Sequence, residues 1–182
     1  QVESWDGTSW TEVNDLNTGR YFNAATGTST AAMTAGGGDP AGSPSSYYNL
    51  VEQWNGSSWT ETTEFNTARD GLAEAGTSTA NIIFGGRTPP STVVALTENW
   101  DGTAWTEVND LGTARRALPG IGTSTAAISA GGQLPANTGI SEQWSFPSSP
   151  ILVEGMIFLS GGQTLKGFGK AAGVPAGTWA SS

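Results

Sequence analysis

VEQWNGSSWTETTEFNTARDGLAEAGTSTANIIFGG, residues 51–86, decides the fold, because the chain carries this phrase three times. The earlier copy, residues 2–38, reads VESWDGTSWTEVNDLNTGRYFNAATGTSTAAMTAGGG, and the later one, residues 98–132, reads ENWDGTAWTEVNDLGTARRALPGIGTSTAAISAGG. A fourth opens at Glu142-Gln143-Trp144 and breaks off. The leading tryptophans, Trp5, Trp54, Trp100 and Trp144, lie 49, 46 and 44 residues apart. Self-similarity at periods of roughly 20–50 residues marks a repeat architecture, in which a unit buries its apolar face against its neighbours.

Inside the unit, Asn55-Gly56 and its counterparts Asp6-Gly7 and Asp101-Gly102 are hairpin signals, since these pairs tolerate the positive φ values of a two-residue type I′ turn. Such a turn sets Trp54 opposite Ser57 and Glu52 opposite Trp59, leaving Trp54 and Trp59 as diagonal neighbours on one face. The same parity couples Trp5 with Trp10 and Trp100 with Trp105. Further on, residues 80–84 read as a short strand buried on both faces and ending at Gly85-Gly86. Residues 71–75 are its expected antiparallel partner across a turn at 76–79. Four strands per unit, punctuated by paired glycines (Gly36-Gly37, Gly85-Gly86, Gly131-Gly132), fit the blade of a β-propeller.

Composition agrees with many short strands and tight turns. Glycine supplies 26 of 182 residues, about twice the usual share of roughly 7%. The net charge is −9, with the acids spread through the repeats. Phosphate contacts need clustered Lys and Arg, so the chain is a poor candidate for nucleic acid. Anionic membrane surfaces would repel it, and no run approaches the roughly 20 apolar residues of a membrane span. There is no cysteine and no histidine. Disulfides, thiolate nucleophiles, imidazole bases and imidazole metal cages are therefore outside the chain's chemistry. The chain opens at Gln1 inside a repeat phrase, which reads as a processed product or a piece of something longer.

An apolar strand closed by Gly-Gly, a variable loop and then a Trp strand resembles the kelch repeat. The runs from Phe65 to Arg69 and from Leu111 to Arg115 are similar to the kelch segment that leads into the blade's first strand. The resemblance covers residues 2–144, with Trp54 and its equivalents standing where kelch repeats usually carry Tyr. It implies an all-β chain of kelch-like propeller blades: three full four-stranded repeats (2–50, 51–97, 98–141) and the start of a fourth at 142. Three blades and a fraction leave open sheet edges, so further blades of a longer protein, or a second copy, are expected to complete a ring. Residues 145–150 read as a linker. Residues 151–182 read as a small β-hairpin tail, with strands at 154–159 and 164–168, and Thr178-Trp179 hinting at another Trp-bearing unit.

That tail hairpin resembles segments in tail-fibre and other virion proteins of bacteriophages, notably of marine bacteria. Those proteins also carry runs that look like WNGSSWTEVNDLNTAR. The resemblance implies a virion protein acting as a spacer or host-binding module on an extracellular particle. Its expected partners are other virion subunits, further copies of itself or a host-surface glycan. The alternative is a secreted bacterial lectin-like propeller. Neither reading calls for a cofactor, a metal or catalysis.

Within the repeats, Trp5, Trp10, Trp54, Trp59, Trp100, Trp105 and Trp144 read as mortar between blades. A buried indole removes about 150–250 Å² from water, worth roughly 4–6 kcal/mol. Arg20, Arg69 and Arg115 read as blade-fixing residues that pair with a carboxylate or with carbonyls. Glu12, Glu61 and Glu107 recur at one position and read as surface decoration. The loops after each Gly-Gly (38–49, 87–96 and 133–140) differ from blade to blade, and loops on a rigid scaffold are where binding concentrates. The first carries Tyr47 and Tyr48, amphipathic rings that make them the candidate ligand contacts.

Overall fold

A computed structural model describes residues 1–40 and 46–146, together with the backbone of the strands at 157–160, 164–167 and 178–181. The described elements are all β-strands, paired antiparallel. β1 (Val2–Trp5) and β2 (Trp10–Val13) form a two-stranded hairpin. β3 (Ala24–Thr28), β4 (Ala31–Ala35), β5 (Val51–Trp54) and β6 (Trp59–Thr62) follow as the first four-stranded sheet, in that order.

β7 (Ala73–Thr77) and β8 (Ala80–Phe84) begin the second sheet. A small loop hairpin, β9 (Arg87–Thr88) with β10 (Thr92–Val93), leads to its outer strands β11 (Thr97–Trp100) and β12 (Trp105–Val108). The third sheet repeats the plan with β13 (Gly120–Thr123), β14 (Ala126–Ala130), the loop hairpin β15 (Gln133–Leu134) with β16 (Ala136–Asn137), and β17 (Ser141–Ser145). β18 (Ile157–Ser160) pairs with β19 (Thr164–Gly167) in a separate two-stranded sheet. β20 (Thr178–Ser181) then returns to β17 as the third sheet's fourth strand. The result is a β-propeller-like succession of antiparallel sheets.

The sheets do not coincide with the sequence repeats. Each combines the GTST hairpin of one repeat with the leading Trp strand of the next, which is followed by its own hairpin partner in the first two sheets and by β20 in the third, so the structural unit is offset by half a period. The Gly-Gly pair causes this. Gly85 and Gly86 sit at φ +66° and +106°, a conformation that costs a residue with a Cβ dearly. Gly85 N–H donates to Leu96 O at 3.0 Å, bringing β11 back against β8, while Gly86 N–H donates to Arg115 O of the following loop at 2.8 Å. A Cβ on Gly85 would stand 2.6 Å from that same Arg115 oxygen. Thr178–Ser181, expected to open another Trp-bearing unit, is paired instead into the third sheet, with Trp179 in register opposite Trp144.

Two turns differ from expectation. The Trp hairpins close through four residues, not two, so Trp54 stands directly opposite Trp59, as Trp5 does opposite Trp10 and Trp100 opposite Trp105. The reason lies in the first turn residue. Asn55 Oδ1 accepts the Ser57 and Ser58 amides, both at 2.9 Å, and Asp6 and Asp101 do the same for their turns. This side-chain-made turn needs a positive φ only at the glycine, whereas type I′ demands it at both central residues. In the GTST hairpin the strand runs on through Thr77, leaving Ser78-Thr79 as the link, and the partner strand begins at Ala73. In the tail, β18 and β19 overlap the strands expected at 154–159 and 164–168. Residues 147–150 of the expected linker lie outside the described residues.

Two apolar layers hold the sheets together. Met33, Ala35 and Val51 of the first sheet pack against Ile83, Trp100 and Trp105 of the second. Ala73, Ala75, Ile82 and Phe84 of the second sheet pack against Ala127 and Trp144 of the third. The second and third sheets thus turn their Trp faces backward along the chain, and the first and second turn forward an alanine-rich face that also carries Met33, or Ile82 and Phe84.

Candidate functional site

Three repeated devices account for the residues singled out in sequence. The first is an indole clasp. Trp54, Trp100 and Trp144 donate Nε1–H to the carbonyls of Ser29, Ser78 and Ser124 at 3.0, 3.2 and 3.0 Å. Those serines sit in the three GTST turns, which explains why that phrase recurs unchanged: its exposed backbone is an acceptor for the next strand's Trp. The partner rings lie 5.5, 5.4 and 5.3 Å apart in the Trp5–Trp10, Trp54–Trp59 and Trp100–Trp105 pairs. Burial is uneven. Trp100 and Trp144 are 2% and 0% exposed, whereas Trp5 and Trp10 are 47% and 64% exposed. The mortar reading fits the later pairs and not the first.

The second device is a buried ion pair. Arg20 meets Glu52, Arg69 meets Glu98 at 2.7 Å, and Arg115 meets Glu142 at 2.9 Å, with all six side chains at 2% exposure or less. Each arginine leaves the loop before a GTST hairpin and reaches the Trp strand that pairs with that hairpin. Each glutamate is also held by loop amides: Asn17 N–H to Glu52 at 2.8 Å, Asn66 N–H to Glu98 at 2.7 Å and Gly112 N–H to Glu142 at 2.6 Å. Arg115 spends Nη1 on the Gly131 and Ile140 carbonyls at 2.8 and 2.7 Å. Burial draws Arg69 below its ordinary pKa, and Glu98 works against that; a guanidinium keeps its proton through such shifts. The sequence identified these arginines but not their partners. The missed signal was a glutamate two residues before every leading Trp: Glu3, Glu52, Glu98 and Glu142. Glu12, Glu61 and Glu107, which do recur visibly, are exposed.

The third device is the Gly-Gly crossing described above, which Gly36-Gly37 repeats with Gly37 N–H on Arg69 O at 3.1 Å. Gly131 and Gly132 adopt the same φ values.

The arginine loops and the variable loops share one end of the sheets, opposite the GTST turns. There Arg87 forms a two-pronged bond to Asp70, Nε to Oδ1 at 3.0 Å and Nη2 to Oδ2 at 2.6 Å, which raises its pKa. Its guanidinium lies 5.1 Å over the ring of Tyr47. Tyr47 is therefore a packed residue, 8% exposed. Tyr48 is half-buried, and desolvation together with Asp39 raises its phenol above the ordinary value. The two tyrosines do not form an exposed pair. Among the described residues, no three acidic side chains converge as a metal cage would require, and no helix is long and apolar enough to cross a membrane.

No protein-family model and no curated protein matches this chain. Among solved structures, the one titled "Structure of YjhT" is similar over 77% of this chain and 47% of its own, with a TM-score of 0.64 at 11% identity. The likeness is one of fold, and this chain spans about half of that neighbour's length.

Proposed function

We propose that this chain is a set of kelch-like propeller blades belonging to a bacteriophage virion protein, a non-catalytic spacer or host-contacting module on an extracellular particle. The observation that carries the reading is where the chain spends its polar chemistry. The repeated arginines, their glutamates and the indole N–H groups are used to hold each GTST hairpin, and the loop ahead of it, to the Trp strand of the following repeat within one sheet. Differences in length between repeats are confined to the loops after Gly-Gly, at one end of the sheets. A rigid scaffold with exchangeable loops suits a part that serves as a spacer or meets a variable surface. The resemblance of its phrases to runs in phage tail-fibre proteins supplies the setting.

The test is mass spectrometry of purified particles from the source material. Peptides of this chain co-sedimenting with capsid and tail subunits, in a fixed ratio to them, are the expected result. Its recovery free of particles, with saturable binding to a defined sugar that Tyr48→Ala abolishes, would replace this reading with the lectin-like one.

A further inference from the structure

The β1–β2 hairpin is the same object as the outer half of the first two larger sheets, β5–β6 and β11–β12, yet it lacks what the inner half supplies there. In each larger sheet the leading Trp strand pairs on its inner edge with a GTST strand: Gln53 opposite Met33, Asn99 opposite Ile82, Gln143 opposite Ile128. Among the described residues, the inner edge of β1 pairs with no strand. Among the described residues, no serine carbonyl accepts from Trp5 Nε1 as those of Ser29, Ser78 and Ser124 accept from the later leading tryptophans. Glu3, at the position of Glu52, Glu98 and Glu142, is exposed and makes no ion pair among the described residues. Leu16, at the position of buried Phe65 and Leu111, is only half-covered.

The space is there as well. Two cavities, of about 400 and 270 Å³, lie along β1 where it faces the first sheet. One is walled by Val2, Leu16, Arg20 and Thr34, the other by Trp5, Ser29 and Trp54.

From these vacancies we infer that the β1 edge is an acceptor site for one further inner hairpin of this same repeat. The hairpin would carry a GTST turn and, upstream of it, the arginine of an N-T-x-R phrase. The required chemistry is specific. A small or apolar residue opposes Ser4, the turn's Ser carbonyl accepts Trp5 Nε1–H, and the arginine enters beside Glu3. An unpaired edge flanked by an apolar groove is a template for strand addition, with main-chain bonds giving affinity and side-chain pockets giving register. The three inner hairpins of this chain are already used in its own sheets, so the occupant is an additional repeat hairpin. The inference does not depend on the virion reading.

Because the chain has no cysteine, register can be tested by cross-linking. A synthetic peptide of residues 64–87 with Ile82→Cys is offered to the full chain bearing Ser4→Cys, or bearing Thr11→Cys on the far strand as a control. A disulfide is expected with Ser4→Cys and not with Thr11→Cys, and it should disappear when Glu3→Ala and Trp5→Ala are added. No cross-link, equal cross-linking of both sites, or Ser4→Cys chains joined to each other in place of the peptide would overturn the inference. A second variant removes any dependence on peptide folding: residues 64–96 duplicated immediately ahead of Val2, in the order the repeats themselves use. Trp5 and Trp10 should then become shielded from a collisional fluorescence quencher; unchanged quenching would overturn the inference equally.

Discussion

At Glu74 a carboxyl group lies 5% exposed beside Asn81, which donates to Oε2 at 2.8 Å, while Oε1 has no hydrogen-bond partner. Burial pushes its pKa up to about 8. The unfolded chain releases this proton near the ordinary value of 4.5, whereas the folded chain holds it to about 8. Across that window the folded state binds more protons, so this group's contribution is present in full below 4.5 and lost as pH rises through 8. The slope is at most about 1.4 kcal/mol per pH unit. Glu74→Gln should flatten it, and urea unfolding at about pH 5, 7 and 9 would show the difference; parallel slopes in the two proteins would sink the assignment. The indoles provide a second contrast at this scale. Trp100→Ala should cost about 3–5 kcal/mol, while exposed Trp10→Ala should stay within about 0.5 kcal/mol. Denaturant midpoints of the two variants decide it, and equal losses would mean that the first hairpin is covered in solution.

Between elements, the buried Arg–Glu pairs are where one sheet is fastened to the loop ahead of it. Removing one partner leaves a charge without compensation, so Arg115→Ala should lose about 3–5 kcal/mol, and Arg115→Met with Glu142→Leu should recover most of that. A double variant as weak as the single one would show that the loop amides on Glu142 matter more than its arginine. Gly85 and Gly19 make a pair of opposites. Gly85→Ala meets the Arg115 carbonyl at a positive φ and should be clearly destabilising. Gly19 stands where the other repeats have Ala68 and Ala114, with open space around it, so Gly19→Ala should stabilise by about 0.4–1 kcal/mol.

Elements were also where the sequence was most and least readable. The strand 80–84 and its glycine stop could be read directly, because a run of apolar residues ending in Gly-Gly has few other solutions. The Trp pairing was legible as a pair but not in register: Asn-Gly fits two turns, and only the Asn55 side chain accepting two amides separates them. The half-period offset was hidden for another reason. Sequence identity repeats in phase with itself wherever the frame is drawn, and the physical boundary depends on which edges pair. Tyr47 drew attention as an aromatic in a variable loop, but its burial under Arg87 comes from a neighbouring repeat's loop, a contact between residues 40 apart in sequence.

At the scale of the molecule, packing among the described residues runs from one sheet to the next, so local stability should be graded along the chain. β7 and β8, enclosed on both faces, should be the last amides to exchange with solvent, and β1 and β2 the first. Native-state hydrogen exchange read by mass spectrometry would show this gradient, and uniform protection would argue for a single cooperative block. Each Arg–Glu pair fastens a loop only to the Trp strand next in sequence, and Leu50 and Leu96 hold the same station, each accepting from the first glycine of its pair at 3.0 Å. A chain lacking residues 51–96 would therefore bring Arg20 to Glu98, with Met33 and Ala35 taking the stations of Ile82 and Phe84 against the third sheet. Slippage between copies of the coding sequence by one whole period would thus give descendants with one sheet fewer or more whose polar fastenings are already in place, which makes the number of repeats a trait that can change in a single step.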